Sequence, residues 1–212
     1  MKIGLSIILT LCLTLQCSYN SIYSQIEPEG NAYVLAFLPN KKKNIYGLAL
    51  GLIGSESYCS YGNIRTSHGL NIQLLGSGWF IVLSKQFWNP KLGFGNDSII
   101  NTVLNDETQY RVRHNGLLVS PLGTNTSISN GVSLSGVVSN GMTMNGFAFN
   151  FLSNNYMVSN GIAISLLNRA YRANGIQIGL INRSKHLKGF QVGLWNVNSK
   201  RRMPIVNWCF RE

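Results

Sequence analysis

Apolar and small polar residues alternate along most of this chain in short blocks, each opened by a glycine or alanine and usually closed by Asn, Gly or Ser. The clearest blocks are Gly161 to Asn168 (GIAISLLN), Gly175 to Asn182 (GIQIGLIN) and Gly189 to Asn196 (GFQVGLWN), with openers fourteen residues apart. Openers at Gly116, Gly131 and Gly146 recur every fifteen, and Ala32, Gly47 and Gly69 carry the same frame (AYVLAFLP, GLALGLIG, GLNIQLLG). Counting the opener as position one, position two is Tyr33, Leu48, Leu70, Leu117, Val132, Phe147, Ile162, Ile176 and Phe190. Position four is Leu35, Leu50, Ile72, Val119, Leu134, Phe149, Ile164, Ile178 and Val192. Both positions are apolar throughout, while three and five are mostly Ala, Gly, Ser, Asn or Gln. That period of two is the mark of a strand with one buried face, and the apolar set is expected to be the buried one. Leu166, Leu180 and Leu194 at position six extend it inward.

Position seven is apolar too, from Leu38 to Trp195, which breaks the alternation and predicts a corner with two consecutive inward side chains. Asn168, Asn182 and Asn196 follow at position eight, with Gly54, Gly76, Gly123 or Ser153 in other copies; all tolerate or stabilise a turn. A second punctuation falls about seven residues later, at Asn130, Asn145, Asn160 and Asn174. Two corners per 14–15 residues predict an all-β fold, a narrow and flattened β-solenoid in which Asn168, Asn182 and Asn196 stack as an amide ladder. About three buried aliphatic side chains per turn, each contributing ~1.5–3 kcal/mol, offset the ordering of so short a coil, and no turn is stable alone. Regularity fails between Ser77 and Asn115, an insert that predicts degenerate turns or a loop packed on the flank. The rival architecture is an antiparallel outer-membrane β-barrel with positions two, four and six facing lipid. Two features weigh against it: apolar stretches of about seven residues where a tilted membrane strand needs roughly 9–11, and connections that do not alternate short and long.

The amino terminus predicts export. Lys2 precedes an apolar run from Ile3 to Leu15 and a polar stretch to Gln25, with cleavage expected after Ser24; residues 1–24 then form a signal peptide and 25–212 one repeat domain carrying the insert at 77–115. Acylation at Cys17 ranks second, because Gln16 stands where a small residue is expected. Cys59 and Cys209 lie near opposite ends of the repeat array, so two separate thiols are expected. Cell surface, outer membrane and periplasm are the compartments this implies.

Charge adds a further constraint. The chain carries 18 Lys and Arg against 7 Asp and Glu, and from Thr108 to Arg211 there is no carboxylate. Catalysis by a general acid or base has little to work with there. His114 and His186 fall at expected turns, His68 precedes an opener, and all three are expected to be solvated. No His, Cys or carboxylate spacing matches a metal site, and Gly93-Phe94-Gly95 lacks the lysine and helix of a phosphate loop, so no metal, cofactor or catalytic residue is expected. One constellation remains: Arg169, Arg172, Arg183, Lys185, Lys188, Lys200, Arg201 and Arg202, which a solenoid brings to one edge together with Lys41, Lys42 and Lys43. This predicts a ridge for a polyanion, lipopolysaccharide phosphates or an acidic glycan, with Tyr171 beside it and no nucleic-acid role; charged solvated turns are the plainer alternative.

The blocks Gly175 to Asn182 and Gly189 to Asn198, with the closing segment Arg202-Met203-Pro204-Ile205-Val206-Asn207-Trp208, resemble a family of short surface-repeat proteins of Gram-negative bacteria. Their copies read approximately Gly-Leu-Gln-Ile-Gly-Leu-Ile-Asn. The resemblance implies export and repeat architecture, and it carries over no catalytic residue.

Overall fold

The structure is a computed structural model that describes residues 30–38, 42–54, 64–76, 78, 97–106, 110 and 112–210. Its strands are β1 (Asn31–Leu38), β2 (Asn44–Gly51), β3 (Arg65–Gln73), β4 (Val112–Ser120), β5 (Gly123–Ser135), β6 (Val138–Asn150), β7 (Ser153–Ile164), β8 (Leu167–Ile178), β9 (Ile181–Val197) and β10 (Arg202–Cys209). They form one sheet in which spatial order follows chain order. Each strand from β1 to β9 pairs in parallel with the next, and only β10 turns back antiparallel on β9. The long strands bend round the coil, giving a β-solenoid of about 8 turns and not a barrel. Parallel pairing from β1 to β9, with two-residue corners from β4 to β9, excludes the up-and-down connectivity that an antiparallel barrel requires. Cys59 lies outside the described residues; Cys209 stands opposite Gly189 on β9.

Glycine marks the register. Gly47, Gly69, Gly116, Gly131, Gly146, Gly161, Gly175 and Gly189 stack in one column, all at positive φ. At Gly161 (φ 124) a Cβ would overlap the carbonyl oxygen of Gly146 in the turn below, so both the backbone geometry and the stacking distance require glycine. The first copy is framed differently from the sequence expectation: Val34, not Ala32, pairs with Gly47 and takes the positive φ (74). This frame sets Leu35 on Leu48 and Phe37 on Leu50, and it stacks Tyr33 on Tyr46 at 5.4 Å.

The largest correction concerns polarity. Positions two and four face outward: Ile162, Ile176, Ile178, Phe190 and Val192 are all exposed. Position six follows, with Leu194 at 69% and Phe151 at 67% exposure. The corner residues Leu180, Ile181, Leu194 and Trp195 are exposed as well, so consecutive corner side chains turn outward instead of inward. What lies inside is the small and polar set: Ala148, Ala163, Gln177 and Gln191 at position three, Ser120, Ser135, Asn150 and Ser165 at position five. The opposite wall contributes Ser129, Met144, Ser159, Ala173 and Leu187. The two walls face one another, as the hydrogen bond from Gln191 Nε2 to Ser184 Oγ (3.0 Å) shows.

Hydrogen-bonded columns make this interior tenable. Asn154 donates to Asn168 (3.0 Å), Asn168 to Asn182 (2.8 Å) and Asn182 to Asn196 (2.8 Å). The same amides brace the corner by donating to the carbonyls of Ile164, Ile178 and Val192. Thus the expected stack of Asn168, Asn182 and Asn196 is present, and it extends through Asn154 to Ser139 and Thr124 by register. In the fifteen-residue turns that column falls one position later than in the fourteen-residue turns, because the extra residue sits at the corner while both walls keep step. A second interior ladder runs from Asn207 to Gln191 (2.9 Å) and from Gln191 to Gln177 (2.8 Å). An outer ladder links Asn174, Asn160, Asn145, Asn130 and Asn115 at 2.7–2.8 Å. Carboxamides suit such columns because each has both a donor and an acceptor to pass along.

This arrangement predicts opposite outcomes for two leucine-sized changes. Asn182→Leu strands the donor of Asn168 and the acceptor of Asn196 in a dry interior and should cost ~2–4 kcal/mol in a denaturant titration. Leu194→Ala, on the outside, should change the same titration by ~0.5 kcal/mol or less when the chain is diluted to monomer.

Candidate functional site

The basic residues gather on the wall opposite the apolar columns, on the last turns of the coil. Along β8 the side chains of Ala170 and Ala173 point inward and those of Arg172 and Asn174 are exposed; along β9 Ser184 and Leu187 point inward, and Arg183, Lys185 and His186 are half-buried. Register sets Arg169 beside Arg183 and Arg172 beside His186. Desolvation lowers the pKa of Arg169, and the neighbouring charge of Arg183 adds to it; for Arg183 the causes are again burial and then Arg202. Arg169 and Arg183 therefore repel one another across neighbouring strands, and Arg202, paired with Val197, adds its charge to theirs.

The other expected members have separate tasks. Arg172 donates through Nη2 to Asn101 Oδ1 at 2.6 Å, and Lys185 Nζ lies 2.9 Å from Asp97 Oδ1. Arg172 and Lys185 flank the Tyr171 ring at 5.6 and 5.8 Å. Arg201 folds back over the Trp208 ring, and its Nε donates to Asn207 Oδ1 at 2.8 Å, so it terminates the Gln177–Gln191–Asn207 ladder. Lys188 and Lys200 are exposed. Lys42 and Lys43 lie at the far end of the coil, and Lys41 is outside the described residues, so the ridge is confined to β8, β9 and β10.

The sequence did not announce the residues that meet this ridge. The insert contains a helix, α1 (Asp97–Asn105), packed against the flank of β8 and β9. β3 pairs directly with β4 across the insert, so the coil continues beneath it. Asp97 accepts a hydrogen bond from Tyr171, an ion pair from Lys185 and a contact from His186 Nε2 at 3.3 Å. These donors, Tyr171 first, hold its carboxyl well below the usual range. Between α1 and the strands lies a polar cleft lined by Asp97, Asn101, Tyr171, Arg172, His186 and Lys188. Ile100, Val103 and Leu104 at helical spacing were the available signal for α1. Asp97 and Asp106 sit at opposite ends of this helix, about 13 Å apart at 1.5 Å per residue, too far to act as a carboxylate pair. Glu107 lies outside the described residues.

The histidines are not solvated turns. His114 is 1% exposed on β4 with Ser67 Oγ 2.6 Å from its Nδ1, and burial pushes its pKa down to about 4. Ser67 and His114 have the separation of a nucleophile and its base, yet both are buried in the interior column, and among the described residues no carboxylate orients the ring. His68 stacks on Tyr46 at 4.9 Å and contacts Asn115, continuing the outer ladder as a ring. His186 packs edge-on against Tyr171. Among the described residues no three His, Cys, Asp or Glu side chains come together as a metal site. No protein-family model, no curated protein and no solved structure matches this chain.

Two outcomes follow. Since the folded pKa of His114 (about 4) lies below the unfolded 6.5, the unfolded chain takes up the proton between those values. Stability is then complete above pH 6.5 and falls as the pH drops toward 4, by on the order of 3 kcal/mol. His114→Met, matching Met144 two turns along the same column, should flatten that pH dependence of the melting temperature. Asp97→Asn should loosen α1, seen as faster proteolysis within the helix, while leaving the circular dichroism of the coil intact.

Proposed function

We propose that the protein is exported and non-enzymatic and acts by binding, with the basic wall of β8 and β9, and Lys200 and Arg202 beside it, taking an anionic polymer of the cell envelope. Phosphates of lipopolysaccharide or the carboxylates of an acidic glycan have the required chemistry. The observation that carries this reading is the pair Arg169 and Arg183, set at the strand repeat of ~4.8 Å on strands that contain no carboxylate, with Arg202 close enough for its charge to act on Arg183. Phosphate or carboxylate oxygens placed between successive guanidiniums offset their mutual repulsion and can be bound two at a time. Lys188 and Lys200 extend the positive field around the pair. Asp97 tempers it, since it occupies Lys185 and His186 at one side of the wall. Export rests on Lys2, the apolar run Ile3 to Leu15 and the small residue Ser24. A non-enzymatic role is supported by the spent state of Asp97 and the enclosed state of the Ser67–His114 pair.

Retention on heparin and on immobilised lipopolysaccharide tests the reading. Joint replacement of Arg169, Arg183, Lys188 and Arg202 by Gln leaves Arg201 and Lys185 in their structural contacts, and should weaken retention about tenfold or more at low salt, with the wild-type interaction itself fading as salt rises. Asp97→Asn should shift elution the other way, to higher salt. Unchanged retention in the fourfold variant would sink the proposal.

A further inference from the structure

The apolar columns on the other wall point to a second binding surface. At positions two, four and six, from β2 to β9, there is not one charged residue, and the columns run the length of the coil. Eight strands at ~4.8 Å by five residues at ~3.3 Å give a face of roughly 38 by 17 Å, or about 650 Å². The largest apolar patch on an ordinary monomer is about 300–600 Å². Two such faces pressed together bury about 1,300 Å², inside the ~1,200–2,000 Å² of stable protein interfaces. We infer that this wall is a homodimer interface, sheet against sheet, with a second copy of this chain as its occupant.

The relief of the wall suits a two-fold mate. Position four forms a ridge (Phe149, Ile178, Val192), and beside it runs a groove floored by Asn150, Ser165, Gly179 and Gly193. Leu180 and Leu194 border the groove on its far side, and Ile205, opposite Gly193 on β10, closes its end. A ridge lying next to a groove of matching length is self-complementary: rotation by two-fold symmetry sets each ridge into the other copy's groove, at the ~10 Å spacing of packed sheets. A lipid surface is the less suitable occupant. Anionic headgroups would draw in the basic wall, and that wall faces the other way, across the interior spanned by Gln191 and Ser184. The same separation leaves the basic wall open in the dimer, so dimerisation and polyanion binding stand or fall apart from each other.

Sedimentation velocity on the full chain at micromolar concentration, with flotation on neutral phosphatidylcholine vesicles alongside, decides the matter. The wild type should sediment as a dimer and stay with the unbound fraction. Ile162→Lys with Ile178→Lys places like charges in the contact and should weaken the dimer ~100-fold or more, giving monomers of unchanged circular dichroism, because both side chains already point outward. Should the lysines prevent folding, Ile162→Gln with Ile178→Gln removes the apolar contact without charge and should also yield monomers. A wild-type monomer overturns the inference, and one that floats with the vesicles replaces the second copy with lipid. A dimer that persists in the folded variants places the contact on another face and overturns it equally.

Discussion

The structure depends on side-chain amides that hydrogen-bond along the coil axis inside it. Asn154, Asn168, Asn182 and Asn196 can pass one donor and one acceptor from turn to turn only when adjacent turns are in register. A one-residue slip would break every rung and bring outward side chains inside. The ladder thus fixes register more sharply than apolar packing does, since aliphatic side chains accept many neighbours and a carboxamide accepts few. It also explains how turns of different length coexist. The extra residue of the longer turns is taken up at the corner, and the two walls pair without interruption from β5 to β9.

Once the interior is polar, the period of two sends the apolar residues out. Their burial is not lost altogether. Ile162 lies beside Ile176, and Ile178 beside Val192, so each loses part of its surface to the turns above and below. The hydrophobic contribution runs along the outside of the coil, in columns, while the inside contributes direction and specificity. Such a coil has two unlike walls by construction, one apolar and one that carries helix α1 and the basic ridge.

This is also why the sequence disclosed some features and concealed others. The repeat spacing implied a solenoid, and the Asn168, Asn182 and Asn196 stack followed from spacing alone. Alternation, however, identifies two faces without saying which is inside, and the usual preference for apolar interiors chose the wrong one. Exchange of inside and outside leaves the pattern unchanged; what could have decided it was the residue choice at position three, where Gln177 and Gln191 are long amides suited to a ladder. His114 was misread for the same reason, because its place two before the opener looks like a turn until the interior column of Ser129, Met144 and Ser159 is known. Helix α1 does not repeat, so the periodicity that exposed the coil gave no view of it. The basic ridge was visible as a cluster, but not its division into neighbouring arginines, a pair held by α1, and Arg201.

Arg201 shows how the coil ends. A parallel stack has no intrinsic limit, and an open edge offers its unpaired N–H and C=O groups to any further strand. β10 reverses direction, which changes the hydrogen-bond pattern that another turn would meet. Pro204 removes a donor from that strand, and the register shifts between Met203 and Ile205, where Ile205 adopts φ 64. The interior ladder is closed in the same place: Asn207 satisfies Gln191, and Arg201 satisfies Asn207 with a donor that needs no acceptor in return. A guanidinium is well suited to that duty, since it only donates and so leaves no further acceptor to be passed outward. The termination of the amide column and the blunting of the sheet edge are therefore one event, carried by a single short strand.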